Sequence, residues 1–202
     1  MRTRSLIKLV FAVATLFLGL ATQQTHAATL SLSPAAGTVQ VGAPAVVELN
    51  ISGLGDFAPD SLGAFLVEIE FDPAVLDIDV SDVMYGSLLG DTDPSAFETD
   101  IVTTVEAGRV SLSAASLLLD FELDALQPSS FTLATLTFAT LANGTSALSF
   151  GTVDLSNAMF PASTLALDSV LTASVTAVPL PAAWLLFLTG LAVLSARRRM
   201  TY

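Results

Sequence analysis

The sequence contains no cysteine, which removes disulfides, thiolate metal centres and cysteine nucleophiles together. Histidine occurs once, at His26, close to where an export signal would be cut. Neither a serine–histidine triad nor a histidine-based metal site can therefore be assembled in the domain that follows. Tryptophan also occurs once, as Trp184 near the C terminus. Positive charge is nearly missing from the middle: Arg2, Arg4 and Lys8 open the chain, Arg197, Arg198 and Arg199 close it, and only Arg109 lies between. All 19 acidic residues fall between Glu48 and Asp168, so setting aside the six basic residues of the two ends takes the net charge from −12 to −18. A surface of that sign repels phosphate backbones, and nucleic acid is excluded as a partner.

Hydrophobic residues make up 52% of the 202 residues and charged residues 13%, but the long apolar runs are confined to the ends. At the N terminus the basic opening is followed by an apolar run from Leu9 to Ala21 and by a short polar stretch. This is the three-part order of a secretory signal, with small residues Thr25 and Ala27 at the −3 and −1 positions. Cleavage is expected after Ala27, with Ala28 as the alternative. At the C terminus Val178-Pro179-Leu180-Pro181 precedes a helical apolar run from Ala182 to Ala196, then the three arginines. Fifteen residues of helix reach roughly 22 Å, a short span for a hydrocarbon core of about 30 Å. Arginines held on the cytoplasmic side place the middle of the chain outside, as the signal does.

Between Thr29 and about Ala177 apolar and β-branched residues recur at period two between Gly, Pro, Asn and Asp clusters, which predicts strands. Leu30 and Leu32, then Val47, Leu49 and Ile51, then Phe65, Val67, Ile69 and Phe71 each mark an inward face. Asp72-Pro73 predicts a turn, with Leu76, Ile78 and Val80 resuming the alternation. A hairpin is expected around Glu106-Ala107-Gly108-Arg109, and another around Ala142-Asn143-Gly144-Thr145, where Asn-Gly is a strong hairpin signal. Leu117 to Leu126 is open between a loop and a short helix, and Leu165 to Val178 supplies a last strand. The expected fold is all-β: a two-sheet antiparallel jelly-roll-type sandwich of about 8–9 strands, flanked by an N-terminal signal helix and a C-terminal hydrophobic helix. The expected divisions are 1–27, 28–177 and 178–202.

The tail resembles the PEP-CTERM sorting signal of Gram-negative bacteria. Pro179 and Pro181 take its two proline positions, Leu180 stands in place of the glutamate, and Trp184 and Arg197 to Arg199 complete the apolar and basic parts. The resemblance implies an exosortase-like processing enzyme as a partner and transient membrane insertion through the C-terminal helix. It also implies a membrane-anchored precursor delivered to the cell surface, outer membrane or extracellular matrix. The middle resembles a cohesin-type domain. Phe71-Asp72-Pro73-Ala74-Val75-Leu76 matches an aromatic-Asp-Pro-x-Val-Leu signature, and Val41 to Pro44, Gly108-Arg109-Val110 and Phe131 to Ala139 follow the same pattern. Cohesins share their sandwich with carbohydrate-binding modules, so the resemblance implies a protein or polysaccharide ligand.

The carboxylates admit two chemistries. Glu68 and Glu70 stand on one strand face about 7 Å apart by strand rise, a spacing that suits a pair of acids in glycoside hydrolysis. Alternation, however, places both on an outward face with no cleft marked, and catalytic residues are expected to be none. Asp91 and Asp93, in an oxygen-rich loop, are the candidates for a structural calcium, although they lack the spacing of an EF-hand loop. No other cofactor is expected. Tyr85 and Phe97 lie in a loop-rich stretch and are the aromatic candidates for ligand contact. The remaining phenylalanines are read first as core. The expected function is a non-enzymatic surface or matrix module, with a small glycan-active hydrolase as the alternative.

Overall fold

Alternation of apolar and polar side chains sets the architecture, and the computed structural model, which describes residues 27–179, shows which strands share each layer. The strands are β1 (Ala28–Pro34), β2 (Thr38–Gln40), β3 (Pro44–Ser52), β4 (Leu62–Glu70), β5 (Leu76–Asp77), β6 (Val83–Tyr85), β7 (Thr99–Glu106), β8 (Arg109–Ser116), β9 (Ser130–Thr140), β10 (Gly144–Asn157), β11 (Leu167–Leu171) and β12 (Ala173–Val178). A 3-10 turn (Val80–Asp82) and one short helix, α1 (Asp120–Leu126), complete the described elements. The open reading of Leu117 to Leu126 thus resolves into a loop followed by a helix.

One sheet has the order β11-β1-β3-β9-β5, with β6 also on β9; the other runs β2-β12-β10-β4-β8-β7. β5 and β6 share one edge of β9, at Thr140 and Leu136 respectively, so they act as one strand interrupted by the 3-10 turn. That interruption ends the alternation expected beyond Ile78, and Val80 is exposed. The inward positions read from the sequence form the core: Leu30, Val47, Leu49 and Ile51 from one sheet meet Phe65, Val67, Ile69, Val110 and Leu112 from the other. Phe71 and Phe138 meet edge to face with centroids 5.2 Å apart. Truncating one of the fully buried leucines to alanine costs about 2–5 kcal/mol.

Four further expectations are corrected. The sheets are not wholly antiparallel, because β11 runs parallel to β1 and β2 parallel to β12 at their edges. The expected last strand is two: β11 joins the first sheet and β12 the second, so the chain changes layers at Thr172. Asn143-Gly144 does not close a hairpin either. β9 pairs with β3, β5 and β6, whereas β10 pairs with β12 and β4, so the Asn-Gly segment crosses from one layer to the other. Sheet pairing is decided by which strands cover the core, and that outweighs local turn preference. The β7–β8 hairpin forms as expected, with Glu106 opposite Arg109 across a two-residue turn whose Gly108 has φ +81°. The strand count also exceeds eight or nine, through the short β2, β5 and β6. The segments expected to form the flanking signal and C-terminal helices lie outside the described residues.

Candidate binding face

The outward face of β10-β4-β8-β7 is where Glu68 and Glu70 come to lie. Register fixes three rows across it: Glu106-Arg109-Glu70-Ser149, Thr104-Ser111-Glu68 and Val102-Ser113-Leu66-Asp154. Short side chains at Thr104, Ser111, Ser113 and Val102 leave the middle of the face open. A register shift in β10 between Phe150 and Val153 turns the Thr152 N–H toward Glu68, whose Oε2 accepts it at 3.1 Å. Arg109 Nη1 stands 3.7 Å from Glu68 Oε1. A shallow depression of about 210 Å³ lies on this face between Glu68, Thr104, Glu106, Arg109 and Ser111. Ligand pockets for small molecules start at about 300 Å³, so this one is too small and too open to enclose a sugar ring.

Hydrogen bonding from Thr152, through its hydroxyl and its amide, holds the Glu68 carboxyl below the ordinary glutamate value, with the Arg109 charge adding to it. A general acid in glycoside hydrolysis needs the opposite shift, because it must carry a proton at working pH. Glu68 is therefore not set up as the proton donor of such a pair, and the depression beside it is too open to enclose one.

The other sequence-predicted residues are spread over the molecule. Phe71, Val75 and Leu76 are buried in the core. Asp72 builds the turn before β5: its carboxylate accepts the Ala74 N–H at 2.9 Å and its carbonyl accepts the N–H groups of Val75 and Leu76. Pro73 packs beside the β7–β8 turn at Gly108. Tyr85 is half-buried, its ring 6.3 Å from Phe65 and its hydroxyl donating to the Val102 carbonyl at 2.9 Å and bonded to Thr103 Oγ1 at 2.8 Å. Burial pushes its pKa up, and the Thr103 hydrogen bond offsets part of that. Phe97 is 79% exposed with φ +55°.

Asp91 Oδ1 accepts the Asp93 N–H, and Asp93 Oδ1 accepts both the N–H and the hydroxyl of Ser95. The Ser95 bonds hold the Asp93 carboxyl below its ordinary value. These oxygens are engaged by their own loop, and among the described residues no group of three or more His, Cys, Asp and Glu side chains is placed to hold a metal. Ala27 is the first described residue and Ala28 opens β1; Thr25 lies outside. Val178 closes β12 and Pro179 follows it, while Leu180, Pro181, Trp184 and Arg197 to Arg199 lie outside the described residues. Among the described residues no helix is long and apolar enough to cross a membrane.

The two-layer arrangement has solved counterparts. A type II cohesin domain from the cellulosome of Acetivibrio cellulolyticus superposes with a TM-score of 0.59 at 19% identity, over 74% of this chain and 95% of that one. The sandwich is cohesin-like. The second type II cohesin module of the adaptor scaffoldin ScaA of the same organism gives 0.60 at 15% identity, over 78% and 94%. A type I cohesin from Clostridium thermocellum, solved in a cohesin–dockerin complex, gives 0.57 at 14% identity, over 77% and 96%. No protein-family model matches the chain, and no curated protein matches it.

Sequence reasoning missed Ser111, Ser113 and Thr104 as the middle of the cohesin-like sandwich's open face. Small polar residues carry no motif, and only their register with Glu68 and Leu66 brings them together.

Proposed function

We propose that this chain is an exported, non-enzymatic cell-surface or matrix module whose cohesin-like sandwich holds a protein partner on the β10-β4-β8-β7 face. The observation that carries the reading is that face itself: four strands wide, anionic, and hollowed only by the shallow, open depression beside Glu68. Extended flat surfaces suit macromolecules rather than small substrates. The fold likeness supports it, since one of the similar cohesins was solved with its dockerin.

Export and sorting belong to the same proposal. Signal cleavage after Ala27 leaves Ala28 as the first residue of β1, and a cut near Pro179 falls just after Val178, the last residue of β12. Core side chains run from Ala28 to Ala177, so both cuts spare the core. The tail's resemblance to a PEP-CTERM signal supplies the exosortase-like enzyme and the membrane-anchored precursor. A polysaccharide ligand rests only on the shared sandwich, and a structural calcium at Asp91 and Asp93 only on their loop position.

The test is capture from the host's secreted fraction with the wild-type chain and with Ser111→Arg. A long cation at the centre of the face is expected to abolish capture of a specific partner while leaving the melting temperature unchanged. Equal capture by both proteins would move the binding surface elsewhere.

A further inference from the structure

A second surface lies at one pole of the sandwich. β3, β8 and β10 end there and β4, β7 and β9 begin there, so the loops 53–61, 86–98, 117–129 and 158–166 meet. Hydrogen bonds tie them into one platform: Phe57 N–H to the Gln127 carbonyl, Leu117 N–H to the Glu98 carbonyl, Ala158 N–H to the Ser61 carbonyl, and Ser61 Oγ to Asp124 Oδ1. From this platform four of the nine phenylalanines between the two end segments point into solvent. Phe57 is 59% exposed, Phe97 79%, Phe121 62% and Phe160 99%. Phe57 and Phe97 hold φ values of +52° and +55°, a conformation bulky residues avoid. One exposed phenylalanine is ordinary; the four exposed phenylalanines among the described residues all stand on the loops of this one pole, and apolar surface gathered on one end of a domain marks an interaction site.

The charge around the patch narrows the occupant. The four loops carry eight carboxylates and no lysine or arginine, and Asp56, Asp91, Asp93, Asp120 and Glu122 are exposed. Arg109, the one lysine or arginine among the described residues, lies at the opposite pole, beside the β7–β8 turn. A second copy would bring eight further carboxylates against these, and an anionic lipid surface would be repelled in the same way. The chain leaves β12 at Val178, opposite the start of β10 and so also at the far pole, which points the phenylalanines away from any anchor carried by the tail.

We propose that this pole is a docking surface for a cationic amphipathic polypeptide segment, whose apolar side chains seat on the phenylalanines while its lysines or arginines meet the carboxylate rim. It is separate from the sheet face proposed above and does not depend on it.

The test uses the full chain captured on a biosensor through its C terminus, with a synthetic Leu/Lys helical peptide as probe. A Leu/Glu peptide of equal length and a neutral oligosaccharide are the comparators. The Leu/Lys peptide is expected to bind wild type, and to bind the double variant Phe97→Ser with Phe121→Ser about tenfold more weakly, as for loss of central aromatic anchors. Asp56→Asn with Asp120→Asn weakens binding and flattens its salt dependence, whereas Ser111→Arg on the sheet face leaves it unchanged. Both phenylalanines are exposed, and an unaltered melting temperature verifies the fold of each variant. Equal binding of the Leu/Glu peptide, full affinity in the phenylalanine variant, or loss in Ser111→Arg would each overturn the proposal. Self-association of wild type without peptide binding, or retention of the oligosaccharide instead, would overturn it too and would name the other occupant.

Discussion

The side-chain amide of Gln127 grips both backbone groups of Leu62: its Oε1 accepts the Leu62 N–H at 2.7 Å and its Nε2 donates to the Leu62 carbonyl at 2.8 Å. Strand β8 ends at Ser116, one position before the residue that register would set opposite Leu62, and the glutamine takes the vacated place. Nε2 also donates to the Leu88 carbonyl at 3.0 Å, while the Gln127 carbonyl accepts the Phe57 N–H. One buried polar residue thus completes a strand end and holds three loops of the pole together.

Replacing Gln127 with methionine keeps the length and removes every side-chain bond, leaving the Leu62 N–H and carbonyl without partners. Buried unpaired backbone groups cost about 1–3 kcal/mol each. Gln127→Met is therefore expected to lower the unfolding free energy by about 3 kcal/mol, read from the urea midpoint. A midpoint equal to wild type would mean that this pole contributes nothing to global stability.

Tyr85 joins the layers in another way, since β6 belongs to one sheet and its hydroxyl reaches Val102 and Thr103 on the edge strand of the other. Its folded pKa is raised above the ordinary 10.0, chiefly because burial disfavours the phenolate. A raised folded pKa means that the stabilisation is complete below pH 10 and is lost as pH climbs from there through the folded value. Wild type is expected to lose stability along that alkaline limb, and Tyr85→Phe to lack this contribution while losing about 1 kcal/mol at neutral pH. Denaturant midpoints across alkaline pH, with tyrosinate absorbance to follow ionisation, measure both.

Strands with one inward face were legible because alternation at Val47, Leu49 and Ile51, or Phe65, Val67 and Ile69, is a direct print of burial. Pairing was not. Asn143-Gly144 carries a strong local signal yet bridges two layers, since partner choice depends on core residues distant in the chain. The three-residue β2 and the interrupted β5–β6 edge are too short to establish a period. At the open face only the carboxylates stood out in sequence, and register turned them into rows with Ser111 and Ser113. Phe57, Phe121 and Phe160 look like core residues by type; their loop positions alone set them apart.

Glu68 is the residue at which the binding and hydrolase readings of the sheet face can be separated by experiment. Its carboxyl is held below 4.5 by Thr152 and Arg109, so its contribution to stability is present above that pH and is lost as pH falls through the lower folded value. Glu68→Gln is expected to weaken the acid dependence of the midpoint, and neither it nor wild type is expected to turn over polysaccharides. Wild-type turnover on a polysaccharide panel, abolished in Glu68→Gln or Glu70→Gln, would restore the hydrolase reading.

The two chain ends make the most decisive expectation for localisation. β1 starts at Ala28 and β12 ends at Val178, so the sandwich needs neither the apolar segment before Ala27 nor the one after Pro181 for the core described above. On the proposed reading both segments serve delivery, and a sorted product is expected to have lost them. Intact-mass measurement on the native surface fraction is expected to give a chain beginning at Ala28 and lacking Trp184 to Tyr202. In a strain without its exosortase-like enzyme, the same protein should keep the tail and remain with the membrane. A mature mass that still includes Trp184 in the wild-type strain would reduce the tail to a plain anchor and leave the binding face standing without the sorting step.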